Sequence, residues 1–175
     1  MKKFLKILGI LISMLLISVI IYFGVLIYYA YPKTKVNEDI KIYHELVETV
    51  EFLPEISELN NYDDVSFKYS ANEGVFSSYS YILKVSYSDE EFKTEKINID
   101  EKYSFDKRFS DVIVVDTFNI KVLDIEKYQL MYPKYLAFLG VSDSTKEVVY
   151  IYYEDPDLDY IEDSWENFII EYCNW

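Results

Sequence analysis

The first pattern along the chain is an absence of pattern. Residues 7–31, ILGILISMLLISVIIYFGVLIYYAY, carry no charge, and the run stops at Pro32-Lys33. As a helix rising 1.5 Å per residue it reaches about 37 Å, against roughly 30 Å of bilayer hydrocarbon, so it predicts a spanning helix with some tilt. A secretory signal has a shorter apolar core and a small-x-small cleavage site, whereas cleavage after Ala30 would put the bulky Tyr28 at the −3 position. Tyr22, Tyr28, Tyr29 and Tyr31 gather at the far end, as an interfacial aromatic belt does. The reading is a retained signal-anchor. Lys2, Lys3 and Lys6, with the amino terminus, outweigh Lys33 and Lys35, which places the N-terminus in the cytoplasm and the C-terminal domain outside, in a single-pass protein of the cell membrane.

Beyond the anchor, the periodicity divides the chain into a linker at 33–38 and one domain at 39–175. Asn37 is a candidate helix cap, and Glu38 and Asp39 suit the positive end of a helix dipole. Tyr43, Leu46, Val47, Val50 and Leu53 recur at helical spacing until Pro54. The period then shortens. Tyr79, Tyr81, Leu83, Val85 and Tyr87 alternate with Ser78, Ser80, Lys84, Ser86 and Ser88, which predicts an amphipathic strand with Ile82 as the one apolar residue on its serine side. It pairs with VSFKYS in a hairpin. Ser88-Asp89-Glu90-Glu91 is a capping-box signature, opening a helix that Phe92, Ile99 and Tyr103 would line.

Residues 112–125 read as strand, broken near Asn119. KYLAFLGVS and KEVVYIYYE predict a second hairpin around DSTK, and their successive apolar residues place it centrally with both faces covered. Ile161, Trp165, Phe168, Ile169 and Tyr172 mark one face of a last helix. The fold class is α+β: a single transmembrane helix, then an antiparallel sheet packed by helices.

Charge changes this picture most. All 31 acidic residues but only fourteen of the 17 basic ones follow Pro32, a formal balance of −17 for the domain. Such a domain repels phosphate backbones and anionic headgroups, so nucleic acid is disfavoured and a basic protein partner or plain solubility is favoured. Only Gly74 and Gly140 lie outside the apolar run, too few for a phosphate-cradling loop. Cys173 is the single cysteine, which excludes an internal disulfide and a Cys-based zinc site and leaves a packed thiol or an intermolecular bridge.

Candidate chemistry is thin. Asp155, Asp157, Asp159, Asp163 and Glu166 fall at positions 1, 3, 5, 9 and 12 of an EF-hand-like calcium loop. Tyr160 stands where the turn wants Gly, Pro156 holds position 2, and Glu162 replaces the usual apolar residue, so no metal is favoured and calcium is a weak candidate. The plainer reading is an acid-rich helix start. His44, the one histidine, borders the apolar stripe of the first helix and reads as a rim residue. Ser104 and Lys107 match Ser-x-x-Lys without the companion motifs that give it meaning. Tyr79, Tyr81 and Tyr87 share a face that either packs under a helix or offers a stacking platform. The leading expectation is a non-enzymatic extracytoplasmic binding module. The alternatives are a tethered enzyme acting on envelope polymers through paired carboxylates, or a small immunity or accessory factor that binds a basic protein.

Overall fold

The computed structural model describes residues 2–30, 33–47, 50, 52–73, 77–107, 109, 111–124, 134–155, 164–173 and 175. The strands are β1 (Lys33–Asn37), β2 (Asp64–Glu73), β3 (Ser78–Ser86), β4 (Ile113–Val115), β5 (Phe118–Val122), β6 (Lys134–Ser142) and β7 (Glu147–Asp155). They join in one antiparallel sheet in the order β1-β2-β3-β7-β6-β5-β4. The helices are α1 (Lys2–Ala30), α2 (Ile40–Val47), α3 (Asp89–Lys102) and α4 (Trp165–Tyr172), with a single 3-10 turn at Ile56–Glu58. The α+β expectation therefore holds, with both hairpins in the expected places.

α1 includes one stretch, Lys6–Ala30, long and apolar enough to cross a membrane, and none of its most apolar window is buried against the rest of the chain. β1 begins three residues after this helix ends. The 33–38 stretch expected as a linker thus contributes an edge strand, registered from Lys33 opposite Glu73 to Asn37 opposite Tyr69. The chain leaves β1 through an Asx turn, in which the Asp39 amide donates to Asn37 Oδ1 at 2.8 Å. The Asp39 carboxylate then accepts from the Lys41 amide at 3.0 Å. Asp39, rather than Asn37, holds the start of α2.

Strand alternation sorts the side chains onto two faces. On one, Leu83, Val85, Leu139, Val148 and Tyr150 pack beneath Tyr43 and Val47 of α2 and Phe92 and Ile99 of α3. On the other, Ile120, Phe138, Val149 and Ile151 pack beneath Phe168 and Ile169 of α4 and Cys173. β3, β7 and β6 lie in the middle of the sheet, which is why β6 and β7 are apolar on consecutive residues. The crossing is tight at Gly140, where a Cβ would come within 2.7 Å of both Ile120 Cγ1 and Val149 Cγ1. The side chain is missing there because two neighbouring strands fill the space.

Two local expectations change. The 112–125 segment breaks at Asp116 and Thr117 rather than near Asn119, with Asp116 at φ 51. An aspartate tolerates this left-handed turn because its short side chain can serve the local backbone. α2 ends at Val47, short of Pro54, although Val50 and Leu53 remain in the core. Their amides donate to Val47 and Val50 carbonyls three residues back, so successive tight turns continue the apolar stripe. α3 keeps its predicted cap: Ser88 Oγ accepts from the Glu91 amide at 3.4 Å.

Candidate functional site

β3 and β7 present tyrosines on the α2/α3 face of the sheet. Register builds the arrangement. Tyr69, Tyr81 and Tyr152 stand directly opposite one another on β2, β3 and β7. In the next row Tyr79, Glu154 and Tyr135 stand side by side on β3, β7 and β6. Ring centroids form a continuous chain, 5.3 Å from Tyr69 to Tyr81, 5.6 Å from Tyr81 to Tyr152 and 5.8 Å from Tyr152 to Tyr135, with Tyr79 stacked on Tyr69 at 6.3 Å. Tyr81 and Tyr152 are buried, while Tyr69, Tyr79, Tyr135 and Glu154 are half-buried and reach solvent.

Glu154 thereby stands between two tyrosine positions in its row, with Tyr81 and Tyr152 in the next. Desolvation raises its pKa above the ordinary carboxylate value. Burial likewise raises the Tyr69 phenol, and the neighbouring Tyr79, Glu73 and Glu154 add to the effect. Among the described residues no lysine, arginine or histidine pairs with Glu154. On the β1–β2 edge, Lys35 pairs with Glu73 in a solvent-exposed ion pair that contributes little stability. The site offers tyrosine rings and one partly desolvated carboxylate, the chemistry that attracts an organic cation.

A second polar constellation lies under α3. Glu95 is only 7% exposed. Its Oε1 accepts from the Tyr150 hydroxyl at 3.2 Å, and its Oε2 accepts from Asn60 Nδ2 at 2.7 Å and Asn98 Nδ2 at 3.3 Å. Burial raises the Tyr87 and Tyr103 phenols beside it, and the Glu95 charge reinforces both shifts. The Tyr87 hydroxyl is buried with no hydrogen-bond partner. The cluster ties α3 to β7 and the 60–61 turn.

The tyrosine face expected from the sequence therefore divides. Tyr87 packs under α3, Tyr81 is covered, and only Tyr79 of the three reaches the surface. Sequence reading missed Glu154 and Tyr135. The available signal was the ending of β7, Tyr152-Tyr153-Glu154, in which the alternation puts Glu154 on the side of Tyr152.

Of the calcium candidates, Asp157, Asp159 and Asp163 lie outside the described residues, as does Ile161 of the last helix's face. Asp155 ends β7 and accepts from the Tyr153 hydroxyl at 2.8 Å, while Glu166 is exposed in the first turn of α4. Among the described residues no three His, Cys, Asp or Glu side chains converge. His44 is exposed on α2, its ring edge-on to Tyr43 at 6.4 Å. Ser104 and Lys107 are both exposed, and the Ser104 carbonyl accepts from the Asp124 amide. Cys173 is wholly buried at the end of α4, and burial pushes its thiol pKa up. That burial agrees with the packed reading of the thiol.

Comparison with protein-family models, with curated proteins and with solved structures gave no match for this chain.

Proposed function

We propose that the protein is a single-pass, membrane-anchored binding module whose acidic α+β domain stands outside the cytoplasm and receives a basic protein partner. The observation that carries the reading is α1: Lys6–Ala30 is apolar, long enough to cross a membrane and buried against nothing, which calls for a lipid environment. The domain's balance of −17 supports a basic partner, since opposite charge steers encounter and repels wrong partners. Retention of the anchor rests on its length and poor cleavage site, and the outward orientation rests on the lysines before it.

The test is intact mass of the membrane-fraction protein combined with protease accessibility in intact cells. Retained residues 1–30 and a domain digested from outside support the reading. A mass lacking the first 30 residues, or a domain cut only after lysis, overturns it. An anchored hydrolase of envelope polymers is a second reading, favoured by the raised Glu154 carboxyl among rings on which sugars stack. Loss of polymer-cleaving activity in Glu154→Gln would support it, and unchanged activity would remove it.

A further inference from the structure

We infer that Glu154, with Tyr79, Tyr135, Tyr81 and Tyr152, forms a socket for one lysine or arginine side chain of the partner. This inference rests on the proposed binding role and names the chemistry of its contact. Three observations meet at the socket. Register places Glu154 between Tyr79 and Tyr135, with the Tyr81–Tyr152 pair in the next row, so the carboxylate projects from a row of tyrosine positions. The rim residues Tyr79 and Glu154 are half-buried, which leaves an incoming side chain access to the charge. Among the described side chains none supplies Glu154 with a cation, and desolvation alone accounts for the direction of its pKa shift.

A carboxylate partly removed from water without a counter-charge is costly, and a cation arriving from outside offsets that cost. Rings within about 6 Å of an ammonium or guanidinium add cation–π attraction, which grows as the site is dehydrated. The occupant follows from charge. The anion sits in a domain of −17, so an acidic or neutral segment gains nothing here, whereas a basic protein is attracted at long range and held at short range.

The test uses the full chain in an uncharged detergent at roughly physiological ionic strength, where diffuse attraction is screened beyond about 8 Å. An end-blocked tetralysine peptide is titrated by calorimetry. Saturable binding is expected, weakened about tenfold in Glu154→Gln. Tyr79→Leu, which keeps an apolar side chain but removes the π face, should weaken binding about fivefold, and Tyr79→Phe should stay within about twofold. Asp100→Asn removes an equal charge from the exposed side of α3 and should also stay within about twofold.

Equal losses in Glu154→Gln and Asp100→Asn would show attraction by net charge alone and overturn the socket. So would an unaffected Tyr79→Leu, an absence of tetralysine binding, or binding of soluble phosphocholine in its place, which would assign the rings to lipid headgroups. Misfolding is read separately, because Glu154→Gln replaces a half-exposed carboxylate with its neutral isostere and its melting temperature should stay close to that of the natural chain. Intact mass and protease accessibility are indifferent to these substitutions. A failed socket therefore leaves the anchored reading standing, and a failed anchor is seen whatever the peptide does.

Discussion

Two tyrosines that differ by one hydrogen bond test the polar cluster under α3. Tyr150 and Tyr87 both lie in the core at no more than 3% exposure, and both phenols approach Glu95. Tyr150 donates to Glu95 Oε1 at 3.2 Å, whereas the Tyr87 hydroxyl has no partner. Tyr150→Phe removes a hydrogen bond to a buried, charged acceptor, worth about 1.5–3 kcal/mol, and leaves Glu95 with its two asparagine donors. Tyr87→Phe removes a dehydrated hydroxyl that gains nothing in the fold, so it should be neutral or stabilise by about 1 kcal/mol. In a domain of this size each kcal/mol moves the melting temperature by about 2–4 °C. Tyr150→Phe should therefore melt roughly 3–12 °C lower and Tyr87→Phe at or above the natural chain. Thermal unfolding followed by near-ultraviolet circular dichroism in detergent separates the two. A double-mutant cycle of Tyr150→Phe with Glu95→Gln should show coupling of about 1 kcal/mol or more. Equal melting of the two Phe variants, or a coupling near zero, would refute the assignment of Glu95 as the acceptor that holds α3 to the sheet.

Other consequences are as direct. Gly140→Ala drives a methyl into Ile120 and Val149 on neighbouring strands and should cost about 1–3 kcal/mol in urea unfolding. Burial raises the phenols of Tyr43, Tyr81, Tyr87, Tyr103, Tyr150 and Tyr153, so folding keeps their protons while unfolded tyrosines lose theirs near about pH 10. Their contribution to stability is complete below that pH and is lost as pH rises above it. Phenolate absorbance should therefore show these rings ionising together with unfolding rather than before it. Cys173, wholly buried with a raised thiol pKa, should react with a disulfide reagent only after denaturation, and modification of the native protein at the unfolding-independent rate of a free thiol would contradict its placement.

The elements legible in the sequence were those whose residue pattern is either strictly alternating or continuously apolar, even though the serine side of β3 turned out buried as well. The serine–tyrosine alternation of β3 could only be a strand with unlike faces, and the double-sided apolar runs of β6 and β7 could only be central. β1 was not legible because hydropathy is silent on it: Lys33, Thr34, Lys35 and Asn37 are polar, Val36 is 52% exposed, and backbone pairing to β2 holds it. The Asp116–Thr117 turn hid because it lacks the Asn-Gly or Asp-Gly signature, taking its positive φ at an aspartate instead. The end of α2 was misplaced because Val50 and Leu53 stay buried through tight turns, and periodicity records burial rather than hydrogen bonding. The candidate socket was hidden for a different reason. Tyr79 and Glu154 are 75 residues apart, and only the β3–β7 register makes them neighbours.

β1 follows the apolar helix so closely that it sets a length scale. Three peptide steps separate Ala30 from Lys33, at most about 11 Å of chain, and Lys33 is already fixed opposite Glu73. With the helix in a bilayer, the domain has almost no leash. The row holding Glu154 lies two residues further along β2 and three strands across, roughly 7 Å and 14 Å away. A protein engaging that row would have to work within a few nanometres of the lipid surface. Inserting a flexible spacer before Lys33 would change that working height without altering a single contact in the sheet.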